Sequence, residues 1–241
     1  MRRIWTSAIG SNRRNLYLLD HLFNFSLFLS YEKEIMEAHH FRDSLNRELQ
    51  HQAKADRFYS EKMGVKNIAR YNSDTQEDMV FQRQDIDLSF ELNGRRLMVS
   101  EKFRNHDYGD LYLECYSKYP GTLGWMHHSK ADFLACFFPE RVIWLNKKML
   151  VDFFHIKLLP AVPGAWFAKI NRELHGRSGQ QKHQLEFFGK TWEFTVIQAF
   201  NRSGNDQWHT IGLGIPFKML EEFNIPGKVF MIYDLGFRIE D

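Results

Sequence analysis

From Glu34 to about Lys62, apolar residues recur at helical spacing (Ile35, Phe41, Leu45, Leu49, Ala53, Phe58) and Gly64 is placed to stop the run. The spacing predicts one long helix whose polar face carries Glu48, Gln52 and Asp56. After a polar connector, residues 79–92 and 95–103 are strand-like runs that meet at Asn93-Gly94, a pair suited to a two-residue hairpin turn. A third strand, 111–117, follows the turn at 105–110. It alternates Leu111, Leu113 and Cys115 on one face with Tyr112, Glu114 and Tyr116 on the other. A loop with Pro120, Gly121 and Gly124 leads to an expected helix over 129–138 and an apolar strand over 141–145. Further on, 147–156 reads as helix, Pro160 and Pro163 break the chain, and 169–182 is polar, basic and glycine-containing, as a loop would be. The tail offers a second hairpin around Gly189-Lys190, a strand near Ile211, a short helix over 216–223 and a last strand over 229–233. There is no internal repeat and no Pro/Gly/Ser-rich linker. The expectation is therefore one α/β domain over 1–241, with an N-terminal extension (1–35), a core (36–146) and an α+β elaboration (147–241).

The first hairpin sorts its side chains. A two-residue turn at Asn93-Gly94 sets Asp87 opposite Ser100, Asp85 opposite Lys102 and Ile86 opposite Glu101. One face then holds Ile86, Leu88, Phe90, Leu97 and Val99, which must be core, and the other holds Asp85, Asp87, Ser100 and Lys102. Glu101 falls at the end of the apolar row, so either a bulge shifts the register there or the carboxylate is paired. Glu114 joins the polar group if its strand is adjacent. Carboxylates converging with a lysine on a sheet edge suit divalent-metal chemistry on phosphodiesters: hard oxygens hold Mg²⁺, and the lysine orients water or offsets developing charge. The bland alternative is a solvated face with a cross-strand ion pair.

Composition narrows the field without deciding it. With 44% hydrophobic and 26% charged residues, the chain is neither disordered nor fibrous, and 22 Phe supply a large core. A formal net charge of +2 permits a nucleic-acid partner. Basic residues cluster at Arg2, Arg3, Arg13 and Arg14 and again from Lys169 through Arg172, Arg177 and Lys182. Cys115 and Cys136 lie in apolar runs and read as buried free thiols, as in a reducing cytosol. The stretch Leu16 to Ser30 is interrupted by Asp20, His21 and Asn24, which is too polar to span a bilayer, so a cytoplasmic protein without membrane contact is expected. His39-His40 and His127-His128 are adjacent pairs that point to different faces, a poor zinc pattern. Trp125 reads as a core aromatic or as a stacking platform for a base. No phosphate-cradling glycine loop or dinucleotide fingerprint is present.

An acidic residue in one strand, an acidic-x-Lys-like triplet in the next and the order of flanking elements together resemble the PD-(D/E)xK nuclease superfamily. The stretches that carry the resemblance are Gln82 to Leu88, Val99-Ser100-Glu101-Lys102, Gly109 to Glu114, and Gly124-Trp125 leading into Lys130 to Phe133. Small nuclease-like proteins of bacteria and phages look similar over about 48–145. The resemblance implies a restriction-endonuclease-like core (helix, three-strand meander, helix, strand) and a Mg²⁺- or Mn²⁺-dependent endonuclease or exonuclease acting on DNA more than RNA. Double-strand cleavage by such domains usually calls for a dimer. It maps Asp87 to the ligating aspartate and Lys102 to the motif lysine. Ser100 stands where the motif expects a carboxylate, so Glu101 or Glu114 would supply the missing metal ligand. If neither does, the same fold serves as a non-catalytic nucleic-acid- or protein-binding module.

Overall fold

A computed structural model describes residues 51–232. The chain divides into two units, Met1–Gln52 and Ala53–Asp241, and the fold described below is that of the second. The N-terminal part of the expected long helix and residues 233–241 lie outside the described residues. Within them the fold is mixed α/β, with two sheets and several helices.

The first sheet has the order β1-β2-β3-β6-β7-β11, from β1 (Lys66–Arg70), β2 (Leu88–Leu92), β3 (Arg95–Phe103), β6 (Phe133–Phe137), β7 (Arg141–Asn146) and β11 (Gly227–Met231). All neighbours are antiparallel except β3 and β6, which are parallel. The second, wholly antiparallel sheet has the order β5-β4-β10-β9-β8, from β4 (Asp110–Lys118), β5 (Thr122–Leu123), β8 (Gly179–Phe187), β9 (Lys190–Ser203) and β10 (Asp206–Pro216).

The first sheet is covered on both faces. Helix α1 (residues 53–62) lays Ala55, Phe58 and Tyr59 against Leu88, Phe90, Val99, Ala135, Phe137 and Trp144. The opposite face sends Leu134, Cys136, Ile143 and Leu145 into a core shared with Leu111, Leu113 and Cys115 of β4, with Val196 and Leu213, and with Leu150 of α3 (Lys147–Phe153). A strand buried on both faces loses its polar alternation. That is why Phe133–Phe137 is a continuous apolar run, and why a helix over 129–138 is replaced here by β6, preceded by a 3₁₀ turn at Trp125–His127.

Three other expectations are corrected. Residues 79–92 are not one strand: α2 (Gln76–Gln82) is capped by the Thr75 side chain, which accepts from the Asp78 N–H, and only Leu88–Leu92 is extended. The third strand of the meander is β1, not β4, which instead pairs with β10 in the second sheet. Residues 169–182 are not a loop, since α5 (Ala165–Leu174) and β8 occupy most of them. Between them, α3 continues through a π-helical turn (Phe154–Leu158) and α4 (Leu159–Ala161). The expected hairpin at Gly189-Lys190, the strand through Ile211 and the helix α6 (Phe217–Glu222) are present. Both cysteines are buried free thiols, and no helix among the described residues is long and apolar enough to cross a membrane.

Candidate functional site

The β2–β3 hairpin turns on Asn93 (φ 52°) and Gly94 (φ 73°), the two left-handed residues of a type I′ turn, and runs in the expected register from Leu92↔Arg95 to Leu88↔Val99. There the ladder opens. The Asp87 N–H donates to the Val99 carbonyl (2.9 Å), and the Asp87 carboxylate turns onto β3, where Oδ2 accepts from the Glu101 N–H (2.6 Å). Asp87 is thereby fixed beside Lys102, whose Nζ lies 3.6 Å from the same Oδ2.

Asp85 is held differently. Its backbone is left-handed (φ 56°) and its side chain is buried, with Oδ1 2.8 Å from Lys102 Nζ and Oδ2 3.0 Å from Lys147 Nζ. Burial opposes the charge on Asp85, but the two ammonium groups prevail and pull its pKa down to about 2. Lys147, at the start of α3, is only 1% exposed. Burial pushes its pKa down to about 8 against the pull of Asp85, and its Nζ sits 3.6 Å from the centre of the Trp125 ring. For Lys102, Asp87 and Asp85 outweigh burial and hold the pKa above the ordinary lysine value. Trp125 is therefore a buried floor beneath two cations, not an open platform for a base.

Glu101 does not reach this group. It points to the α1 face, where the Tyr59 hydroxyl donates to Oε1 (2.8 Å) and Arg70 Nη1 donates to Oε2 (2.7 Å); Arg70 also binds Asp56 through Nε and Nη2. Of the two outcomes left open by the sequence, pairing is the one observed. Burial pushes the Glu101 carboxyl up to about 7, against the opposing effect of Arg70.

Glu114 enters from the other sheet. It lines a cavity of about 250 Å³ together with Lys102, Arg104, Tyr112, Trp125 and Cys136, and its Oε1 accepts from the Trp125 N–H (3.4 Å). Burial raises its pKa. Gly124 makes this seat possible, because a Cβ there would lie 2.4 Å from the Glu114 carbonyl oxygen and 2.7 Å from its Cγ.

The structure thus gathers Asp85, Asp87 and Lys102, brings Glu114 into the cavity that Lys102 lines, and sends Glu101 to the opposite face. Among the described residues, no group of three or more His, Cys, Asp or Glu side chains is arranged to hold a metal ion. Asp85 is engaged by two lysines and Glu101 by Arg70, which leaves Asp87 and Glu114 as the carboxylates able to offer an oxygen outward. Ser100, fully buried on the Lys102 face, has a hydroxyl without a hydrogen-bond partner.

Sequence reasoning missed Lys147, Arg70 and Tyr59. Lys147 opens a stretch read only as helix, and nothing in the sequence marks it as buried. Arg70 lay in what read as a polar connector. No family profile, curated protein or solved structure matches the chain.

Proposed function

We propose that the cleft beside β3 is the site of a metal-dependent nuclease that hydrolyses phosphodiester bonds in nucleic acid, DNA in preference to RNA. The observation that carries this reading is the pairing of Asp87 with Lys102 at 3.6 Å, next to a cavity into which Glu114 projects from the opposite sheet. The element order agrees with it in outline: α1 and an antiparallel β1-β2-β3 meander, with α2 between β1 and β2, precede β6, and the crossover from β3 to β6 runs through β4, β5 and a 3₁₀ turn in place of a helix.

The donor chemistry fits Mg²⁺ or Mn²⁺ in a reduced form. Asp87 and Glu114 would hold the ion, and a site of one or two carboxylates completed by water and substrate phosphate is ordinary for Mg²⁺. When bound, the cation supplies positive charge to the phosphate and makes water more acidic. The chain's own groups do the rest. The Lys102 ammonium, kept protonated by Asp85 and Asp87, faces the phosphate and offsets its charge. Asp87 is kept from rotating by the Glu101 N–H. Burial raises the pKa of Glu114, so a proton competes with a cation for its carboxylate and occupancy should increase with pH.

A second reading, a binding module without hydrolysis, draws on Ser100, which places a neutral hydroxyl where the motif expects a carboxylate, and on Glu101, already neutralised by Arg70. Incubation of the full chain with labelled DNA and RNA, in Mg²⁺, in Mn²⁺ and in chelator, separates the two. Metal-dependent shortening of the label supports the nuclease. Retention of an intact strand on the protein, unaffected by metal, supports the binding module.

A further inference from the structure

Beyond Lys102, the chain leaves β3 through Arg104, whose backbone N–H donates to the Phe137 carbonyl. Arg104 lines two cavities. One is the Glu114 cavity; the other, of about 310 Å³, is bounded by Tyr108, Asp110, Gln180, Thr195 and Gly214. That volume is at the lower end of small-ligand sites, about 300–1,000 Å³, and suits a single nucleoside.

The lining has the chemistry of such a unit. The Arg104 guanidinium stands 5.7 Å from the ring centres of both Tyr108 and Tyr112, and its Asp110 partner is 3.6 Å away, beyond hydrogen-bond distance. Its donors therefore remain available to a phosphate. Tyr108 is 65% exposed, and among the described residues Phe188 is the one other aromatic so open to solvent. Asp110 carries a buried Oδ1 without a hydrogen-bond partner, and burial raises its pKa. Gly214 keeps the floor open, since a Cβ there would come within 2.4 Å of Asp110 Oδ2. A cation, an exposed ring and one unsatisfied carboxyl oxygen at one wall match the three parts of a nucleotide: phosphate, base and sugar.

We propose that this second cavity is a subsite for the nucleotide adjoining the bond placed in the Glu114 cavity, with its phosphate at Arg104 and its base on Tyr108. A base stacked on Tyr108 has left its duplex partner, so the substrate is a single strand or a frayed end. The subsite rests on the nuclease reading for its neighbour but is testable without it.

The test is fluorescence anisotropy of the full chain in chelator with a labelled 12-nucleotide single strand, as DNA and as RNA, and with the corresponding DNA duplex. Tyr108→Ala is expected to weaken single-strand binding about 5- to 150-fold, the range for loss of one base stack. Arg104→Ala should weaken binding and lower the salt slope by about one ion. Lys148→Ala, which alters an 80%-exposed side chain on α3, should bind as wild type. Thermal unfolding verifies that each variant is folded, with Arg104→Lys as the milder change. Equal binding of duplex and single strand, binding by the Tyr108 and Arg104 variants within twofold of wild type, or no binding at all overturns the subsite. Cleavage that persists at wild-type rates in those variants overturns the subsite and leaves the nuclease standing. Binding that depends on Tyr108 and Arg104 in a protein that cuts nothing supports the subsite and removes the nuclease.

Discussion

Replacing Arg70 with Met leaves the Glu101 carboxylate buried with only the Tyr59 hydroxyl against it. The Glu101 side chain is 3% exposed and that of Arg70 13%, so solvent screens this pair little. Removing one partner of a buried pair costs about 3–5 kcal/mol. For a domain of this size, about 2–4 °C per kcal/mol converts that to a fall in Tm of roughly 6–20 °C. Glu101→Gln should be milder, about 1–3 kcal/mol, because Arg70 keeps its contacts to Asp56 and the amide still accepts from Tyr59. The double variant should recover most of the Arg70→Met loss. The pH dependence has a definite sign. Burial already raises Glu101 to about 7, and without Arg70 it rises further, above its unfolded value. Stability from such a group is present below the ordinary carboxylate range and is lost as pH rises through the folded pKa. The Arg70→Met deficit should therefore be small near about pH 5 and largest above about pH 8. Thermal and urea unfolding across that range provide the measurement. A Glu101→Gln loss equal to that of Arg70→Met, or a deficit that grows on acidification, would refute the pairing and return Glu101 to the cleft.

Asp85→Asn should cost about 3–5 kcal/mol, because it strands the buried Lys147 ammonium. The folded pKa of Lys147, already depressed to about 8, would fall further, so the deficit should shrink as pH rises toward the unfolded lysine value; a pH-independent loss in urea titrations would contradict this. Gly124→Ala pushes a methyl into the Glu114 backbone and should cost about 1–3 kcal/mol of overpacking while weakening Mn²⁺ binding measured by calorimetry; unchanged stability would show that the seat of Glu114 is slack.

The hairpin was legible because Asn93-Gly94 names its own turn and an alternating pattern then assigns faces. The same reasoning brought Asp85 to Lys102 and left Glu101 either shifted by a bulge or paired, but it could not supply Arg70 as the partner, since β1 is five residues long, irregular at Asn67, and carries no alternation. β6 was read as helix because a strand covered on both faces has no period to betray it. β4 was assigned to the wrong sheet because its partner, β10, lies about a hundred residues away and leaves no local trace. The Thr75-x-x-Asp78 cap was present in the sequence, but the apolar run Met79-Val80-Phe81 obscured it.

The most direct test of the proposed chemistry is cleavage of labelled single-stranded DNA by the full chain and by Asp87→Asn, Glu114→Gln, Lys102→Met and Glu101→Gln, each in Mn²⁺ and in chelator. Wild type and Glu101→Gln are expected to cut in metal alone, with losses of about 100-fold or more in the other three at unchanged fold. A folded wild type that cuts nothing in Mn²⁺ or Mg²⁺, or an Asp87→Asn variant that cuts like wild type, would contradict it.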